Sequence, residues 1–281
     1  MNEHLLSMAK SVVYILEVFV LLWVARLAYT GFYRRVNLNA ELFGRNNTAL
    51  SVALSGYLMG VVFALGGALW GPSAGWQADL VAIALSGLKA IALMLVASYL
   101  CEKVLLPRFD NTKEVVQDQN LGTAFVEAGM HLANGLIVLS IQQGSGSWQV
   151  GLVFWALAQG VLLLAGLLYG WVAPHQLHRE LERDNAAVGL AFGGGLVGMG
   201  NIISLAAGGD FNGWQQGLTF FAEDAAFGLV MLFLLKRLAD VVLAGGVKLG
   251  AEEVEAAPNV GAGLLEAVGY IGGSMLIVWV F

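Results

Sequence analysis

Asn46-Asn47-Thr48-Ala49-Leu50-Ser51-Val52-Ala53-Leu54-Ser55-Gly56-Tyr57-Leu58-Met59-Gly60 opens a stretch that continues to Ala78 without one Asp, Glu, Lys or Arg. A bilayer crossing takes about 20 predominantly apolar residues, so this stretch can cross, turn and start back. A second such stretch runs from Ala128 to His178. Around both, 58% of the 281 residues are hydrophobic and 12% charged, with a mean hydropathy of +0.74. Soluble chains carry about 25% charged residues, and a water-soluble fold could not hide this much apolar surface. The fold class that follows is an all-α polytopic transmembrane bundle whose first partner is the lipid bilayer.

Apolar runs and their polar punctuation predict eight spans, at 5–30, 47–70, 77–101, 121–141, 148–172, 186–207, 214–235 and 260–281. Alternate connections are short, Gly-rich and hold Trp70, Trp76, Trp148 and Trp214, as indole anchors at an interface do. The other connections, with Arg26 at a span end, hold 12 of the 14 basic residues, leaving Lys10 and Lys89 elsewhere. The positive-inside rule makes those basic loops cytoplasmic and puts both termini on the periplasmic side. The apolar run near the N-terminus carries Glu3, Lys10 and Glu17 and has no convincing cleavage site, so it reads as a retained span.

An asparagine followed by small residues recurs at Asn47, Asn120, Asn185 and Asn259, each on re-entry from a basic loop. Asn47 to Asn185 is 138 residues and Asn120 to Asn259 is 139, so the chain reads as two four-helix halves, 1–142 and 143–281. An even number of spans per unit preserves orientation on duplication, which makes these parallel repeats. The plain role for each asparagine is an N-cap. Small residues spaced by four, as in Gly56/Gly60, Gly166/Gly170, Gly194/Gly198 and Gly269/Gly273, imply close helix packing and further self-association into a homo-oligomer through glycine faces. A less favoured reading unwinds 193–200 to line a site.

The segment 47–60, echoed by Asp184-Asn185-Ala186-Ala187-Val188-Gly189-Leu190-Ala191-Phe192-Gly193-Gly194, resembles the YjfL-like bacterial membrane proteins, a family of unknown function present here as repeated copies. The resemblance implies a multi-pass protein of the bacterial cell inner membrane and supplies no activity to carry over.

Several motifs fail on context. Gly193-Gly194-Gly195-Leu196-Val197-Gly198 has the letters of a dinucleotide fingerprint without its strand. Gly71 to Gly75 mimics a nucleophile elbow in a turn, and Ser86-Gly87-Leu88-Lys89 has Ser-x-x-Lys spacing without the rest of a hydrolase signature. His175 and His178 have no further ligand to complete a metal site. The single cysteine, Cys101, excludes an intrachain disulfide, and a formal charge of −6 offers no footing for nucleic acid. No enzyme, metal or cofactor is expected.

What remains is charge where charge is costly. Glu17, Lys89, Glu127, Glu223, Asp224 and Glu266 fall within spans, where an ionisable side chain costs about 2.5–3.5 kcal/mol. Five acids against one lysine cannot all pair, so some must be protonated, hydrated or opposite a cation. Asn120, Thr123, Glu127, His131 and Asn134 form one stripe on the fourth span, and Ser7, Lys10, Tyr14 and Glu17 another on the first. Glu127 and Glu266 each follow their repeat asparagine by seven residues, about 10 Å into the membrane. The leading expectation is passage or coupled transport of a proton or small cation at Glu127, Glu266, Glu223 and Asp224. Glu17 and His131 join the candidates, and Lys89 is an internal counter-charge. The alternative is a non-transporting scaffold or sensor whose acids only hold helices together and whose loops 174–184 and 248–258 recruit a cytoplasmic partner.

Overall fold

The computed structural model describes residues 3–32, 36–70, 73–107, 110, 112–173, 177–255 and 257–280. Among them there is no strand. The chain forms α1 (Glu3–Phe32), α2 (Thr48–Leu69), α3 (Trp76–Leu105), α4 (Leu121–Gln143), α5 (Trp148–Val172), the short α6 (Leu177–Glu182), α7 (Ala186–Ala207), α8 (Trp214–Leu238), the short α9 (Leu249–Glu252) and α10 (Val260–Val280). Seven long helices have the length and composition of a membrane span; α8, which carries Glu223 and Asp224, is not among them. α7 and α10 pack in parallel, with Gly194 against Ala267 and Gly198 against Tyr270, and α8 runs back along the bundle between them in sequence, bringing Lys236 near its end to Glu266 on α10. Several helices outrun their expected ends, α3 by four residues to Leu105 and α8 by three to Leu238.

α2, α4, α7 and α10 form an inner row, each packed most extensively on the next, while α1, α3, α5 and α8 lie against that row. The row is close because its contacts are small. A Cβ at Gly56 would meet Ala128, one at Gly129 would meet the Gly193 backbone, and one at Gly194 would meet Ala267. These contacts repeat in register: Gly56, Gly129 and Gly194 each lie nine residues after their asparagine, and Ala128, Gly193 and Ala267 eight. Helix continues through 193–200, so that stretch is not unwound, and nearly every residue of α7 is buried. Leu162, an apolar residue on the apolar α5, is fully buried.

The asparagines cap, and they also join the repeats. Asn47, Asn120, Asn185 and Asn259 accept from the backbone N–H of Leu50, Thr123, Val188 and Ala262 at 2.9, 2.8, 3.2 and 3.2 Å. The amide groups of the first three donate onward: Asn47 to Val115 O and Val116 O, Asn120 to Leu181 O, and Asn185 to Glu253 O. Each asparagine thus caps its own span and holds the loop before the next. Those three are buried and Asn259 is exposed. At the opposite end Gly75 and Gly213, 138 residues apart, precede Trp76 and Trp214 with φ of 110° and 113°, a region that favours glycine.

Candidate functional site

The sequence-predicted residues separate into two buried groups and several outliers. Glu127 and Glu266 are 2% and 1% exposed, on α4 and α10, with α7 between those helices. Neither lines the cavities described below. Around the α4 stripe, Tyr29, Tyr57 and His131 stack edge to face, with Tyr57 and His131 centroids 5.2 Å apart. Ser98 Oγ lies 3.1 Å from His131 Nδ1, and Asn120, Thr123 and Asn134 are buried on the same stripe as Glu127.

Around Glu266 the chemistry is different. Lys236 Nζ donates to Glu266 Oε1 in a direct ion pair, and Tyr169 donates its phenolic hydrogen to the same oxygen at 3.3 Å. Tyr270 packs on Tyr169 with centroids 6.1 Å apart, and both rings with Lys236 line a cavity of about 140 Å³. A second carboxyl, Glu253, belongs to this group. It is fully buried, its carboxyl lies beside that of Glu266, and its backbone carbonyl is held by Asn185. Burial, and then the negative charge of Glu266, push the Glu253 carboxyl up to about 9, while Lys236 pulls the other way. Two buried carboxyls therefore face one ammonium at the basic end of the bundle.

Neither Lys236 nor Glu253 stood out from the sequence. Lys236 reads as one more basic loop residue, and Glu253 as a solvated acid. One signal existed. Glu41, Glu114, Glu180 and Glu252 each accept from the backbone N–H of their repeat asparagine, which aligns the four loops. The next residue is Leu42, Val115 or Leu181 in three repeats and Glu253 in the fourth, an acid at an apolar position.

The other candidates lie elsewhere. Glu223 and Asp224 are exposed on α8, Asp224 beside a cavity near the turns at the Trp-rich end. Glu17 is half-buried on α1, whose Tyr14 donates to Asp79 at 2.7 Å. Lys89 is exposed over the Trp148 ring and pairs with no acid among the described residues, so it is not the counter-charge of any of them. The long side chain carries the ammonium to the level of the indoles. His178 lies near Leu105 O, whereas His175 falls outside the described residues, and no group of three metal-ligating side chains occurs among the described residues.

The family model described as Domain of Unknown Function (DUF350) matches residues 3–141 and again 145–281, the two four-helix halves. The chain belongs to that family. A relative in Aquifex aeolicus (strain VF5), a "UPF0719 transmembrane protein", is 22% identical over 186 residues, covering 65% of this chain and 67% of the relative. The resemblance drawn from the asparagine motif is met at this level, a repeated transmembrane family without assigned function, and not at the level of the YjfL-like designation. No solved structure gives a significant match.

Proposed function

We propose that this protein, set in the bacterial inner membrane with its basic loops in the cytoplasm and its termini in the periplasm, exchanges a proton or small cation at the Glu253–Glu266–Lys236 group as a step of coupled transport. One observation carries the reading. Two buried carboxyls share one ammonium, so the group holds a proton or admits a cation whenever Lys236 is charged. The adjoining cavity beside Lys236 supplies space near the exchange site, and Tyr169 and Tyr270 wall it. Glu127 occupies the matching depth in the first half and serves as the second exchange position. The reading is non-enzymatic.

A second reading is favoured by the separation of the two acids. With α7 between α4 and α10, protonation of Glu253 would act locally on the loop that carries it, as in a pH sensor that recruits a cytoplasmic partner. Proton flux into liposomes containing only this protein separates the two. Transport requires a protein-dependent flux that falls in a Glu253→Gln, Glu266→Gln double variant at matched protein density. Equal leak for both proteins would remove transport and leave the sensor.

A further inference from the structure

At the Trp-rich end, a cavity of about 340 Å³ lies between α3 and the turn joining α4 to α5, lined by Ser86, Lys89, Gln142, Trp70, Ser147 and Trp148 among others. Its chemistry is one-sided. No carboxylate lines it, and Lys89 forms no ion pair among the described residues. The Lys89 ammonium lies 4.8 Å from the Trp148 ring centroid, which leaves its N–H donors without an oxygen acceptor. The Ser86 hydroxyl makes no hydrogen bond among the described residues. The Ser147 hydroxyl oxygen accepts from Val150 N at 3.5 Å and keeps its hydrogen to donate. An ammonium and two hydroxyls thus line one space that no carboxylate enters.

We propose that this cavity seats the phosphate of a membrane phospholipid. The acceptor the donors lack is an oxyanion, and a phosphate offers several oxygens to an ammonium and two hydroxyls. Trp70 and Trp148 place the cavity at the interfacial level, where phospholipid phosphates lie. Val96 on α3, seven residues beyond Lys89 on the same face, and Leu152 on α5, both exposed and farther from the Trp-rich end, continue from the cavity as an apolar track for acyl chains. That track favours a lipid over free phosphate as the source of the oxyanion. The same seat accounts for a lysine among apolar residues and absorbs the Ser86/Lys89 spacing without any hydrolytic step.

The test compares retained lipid in wild type, Lys89→Gln and Lys89→Arg, purified from nanodiscs that mix phosphatidylglycerol with a phosphate-free diacyl glycolipid and read by native mass spectrometry. Wild type should retain phosphatidylglycerol selectively, Lys89→Arg should keep most of that selectivity, and Lys89→Gln should weaken it about tenfold, the loss of one charge-assisted contact. Thermal stability in detergent, measured with added phosphatidylglycerol or inorganic phosphate, separates the two sources. Lysine-dependent stabilisation by phosphatidylglycerol alone supports the proposal. Equal retention of both lipids by wild type, unchanged selectivity in Lys89→Gln, or lysine-dependent stabilisation by inorganic phosphate without the lipid each overturn it.

Discussion

Ser98 and Lys236 hold corresponding places in the two halves, 138 residues apart, yet Ser98 lies against His131 and Lys236 donates to Glu266. Duplication preserved the position and changed its chemistry. Lys236→Met should therefore leave the nearly fully buried Glu266 beside Glu253 with no cation and destabilise the protein by about 3 kcal/mol. Adding Glu266→Gln should recover most of that loss, because the amide keeps the Tyr169 contact without charge. Chemical denaturation in detergent of the single and double variants reads the coupling, and additive effects would refute the pairing.

The asparagine linkage gives an asymmetric expectation. Asn185→Leu loses a cap and the bond to Glu253 O, and it leaves that buried carbonyl unmet, a cost of about 2–3 kcal/mol. Asn259→Leu loses only a cap, at about 1 kcal/mol. Thermal melts of the two variants should rank in that order, and equal losses would mean that the link between repeats contributes nothing.

The inner row was legible because its two signals are local. The asparagine spacing and the charge-free runs fix the number and phase of the repeats, and α5 and α7 have the expected ends, 148–172 and 186–207. The depth and burial of Glu127 and Glu266 also follow from seven residues of helix after a fixed asparagine. Partners were not legible. Which acid meets which base depends on how outer helices lie on the row, and Lys89 meets the Trp148 ring because its long side chain extends toward the start of α3. Leu162 shows the same limit, since an apolar residue on an apolar helix does not announce whether it faces lipid or protein.

Gly129→Leu and Gly194→Leu should each lower stability by about 1–3 kcal/mol or block assembly, because a side chain there meets the neighbouring backbone at Gly193 or Ala267. Leu164→Phe, at a position 52% exposed on α5, is the appropriate enlargement control and should melt like wild type. Leu162 cannot serve, being fully buried. Wild-type melting for both glycine variants would remove close packing as the reason for the small residues.

Orientation is testable with engineered thiols. Cys101 is buried, so its resistance to a membrane-impermeant reagent would carry no topological information. In a Cys101→Ser background, Ser145→Cys at the Trp-rich end should label in intact cells, whereas Gln117→Cys at the basic end should label only after permeabilisation. Both side chains are exposed, so access depends on the side of the membrane alone. Labelling in the reverse sense would invert the proposed orientation.

The Glu253 carboxyl gives the protein a pH dependence of defined sign. Its folded-state value of about 9 lies above the ordinary carboxylate range, so between the two values the folded protein keeps a proton that the unfolded chain releases. Its contribution to stability is full below the unfolded value and is lost as pH rises through about 9. Above that pH a second buried negative charge sits beside Glu266, and the Asn185 bond to Glu253 O is the contact that must resist loop opening. Hydrogen exchange at 249–254, corrected for intrinsic rate, should accelerate as pH rises from the ordinary carboxylate range and level off near about 9. Glu253→Gln cannot ionise in either state and should flatten the profile. An unchanged profile in Glu253→Gln would assign the transition to another group and remove Glu253 from the exchange site.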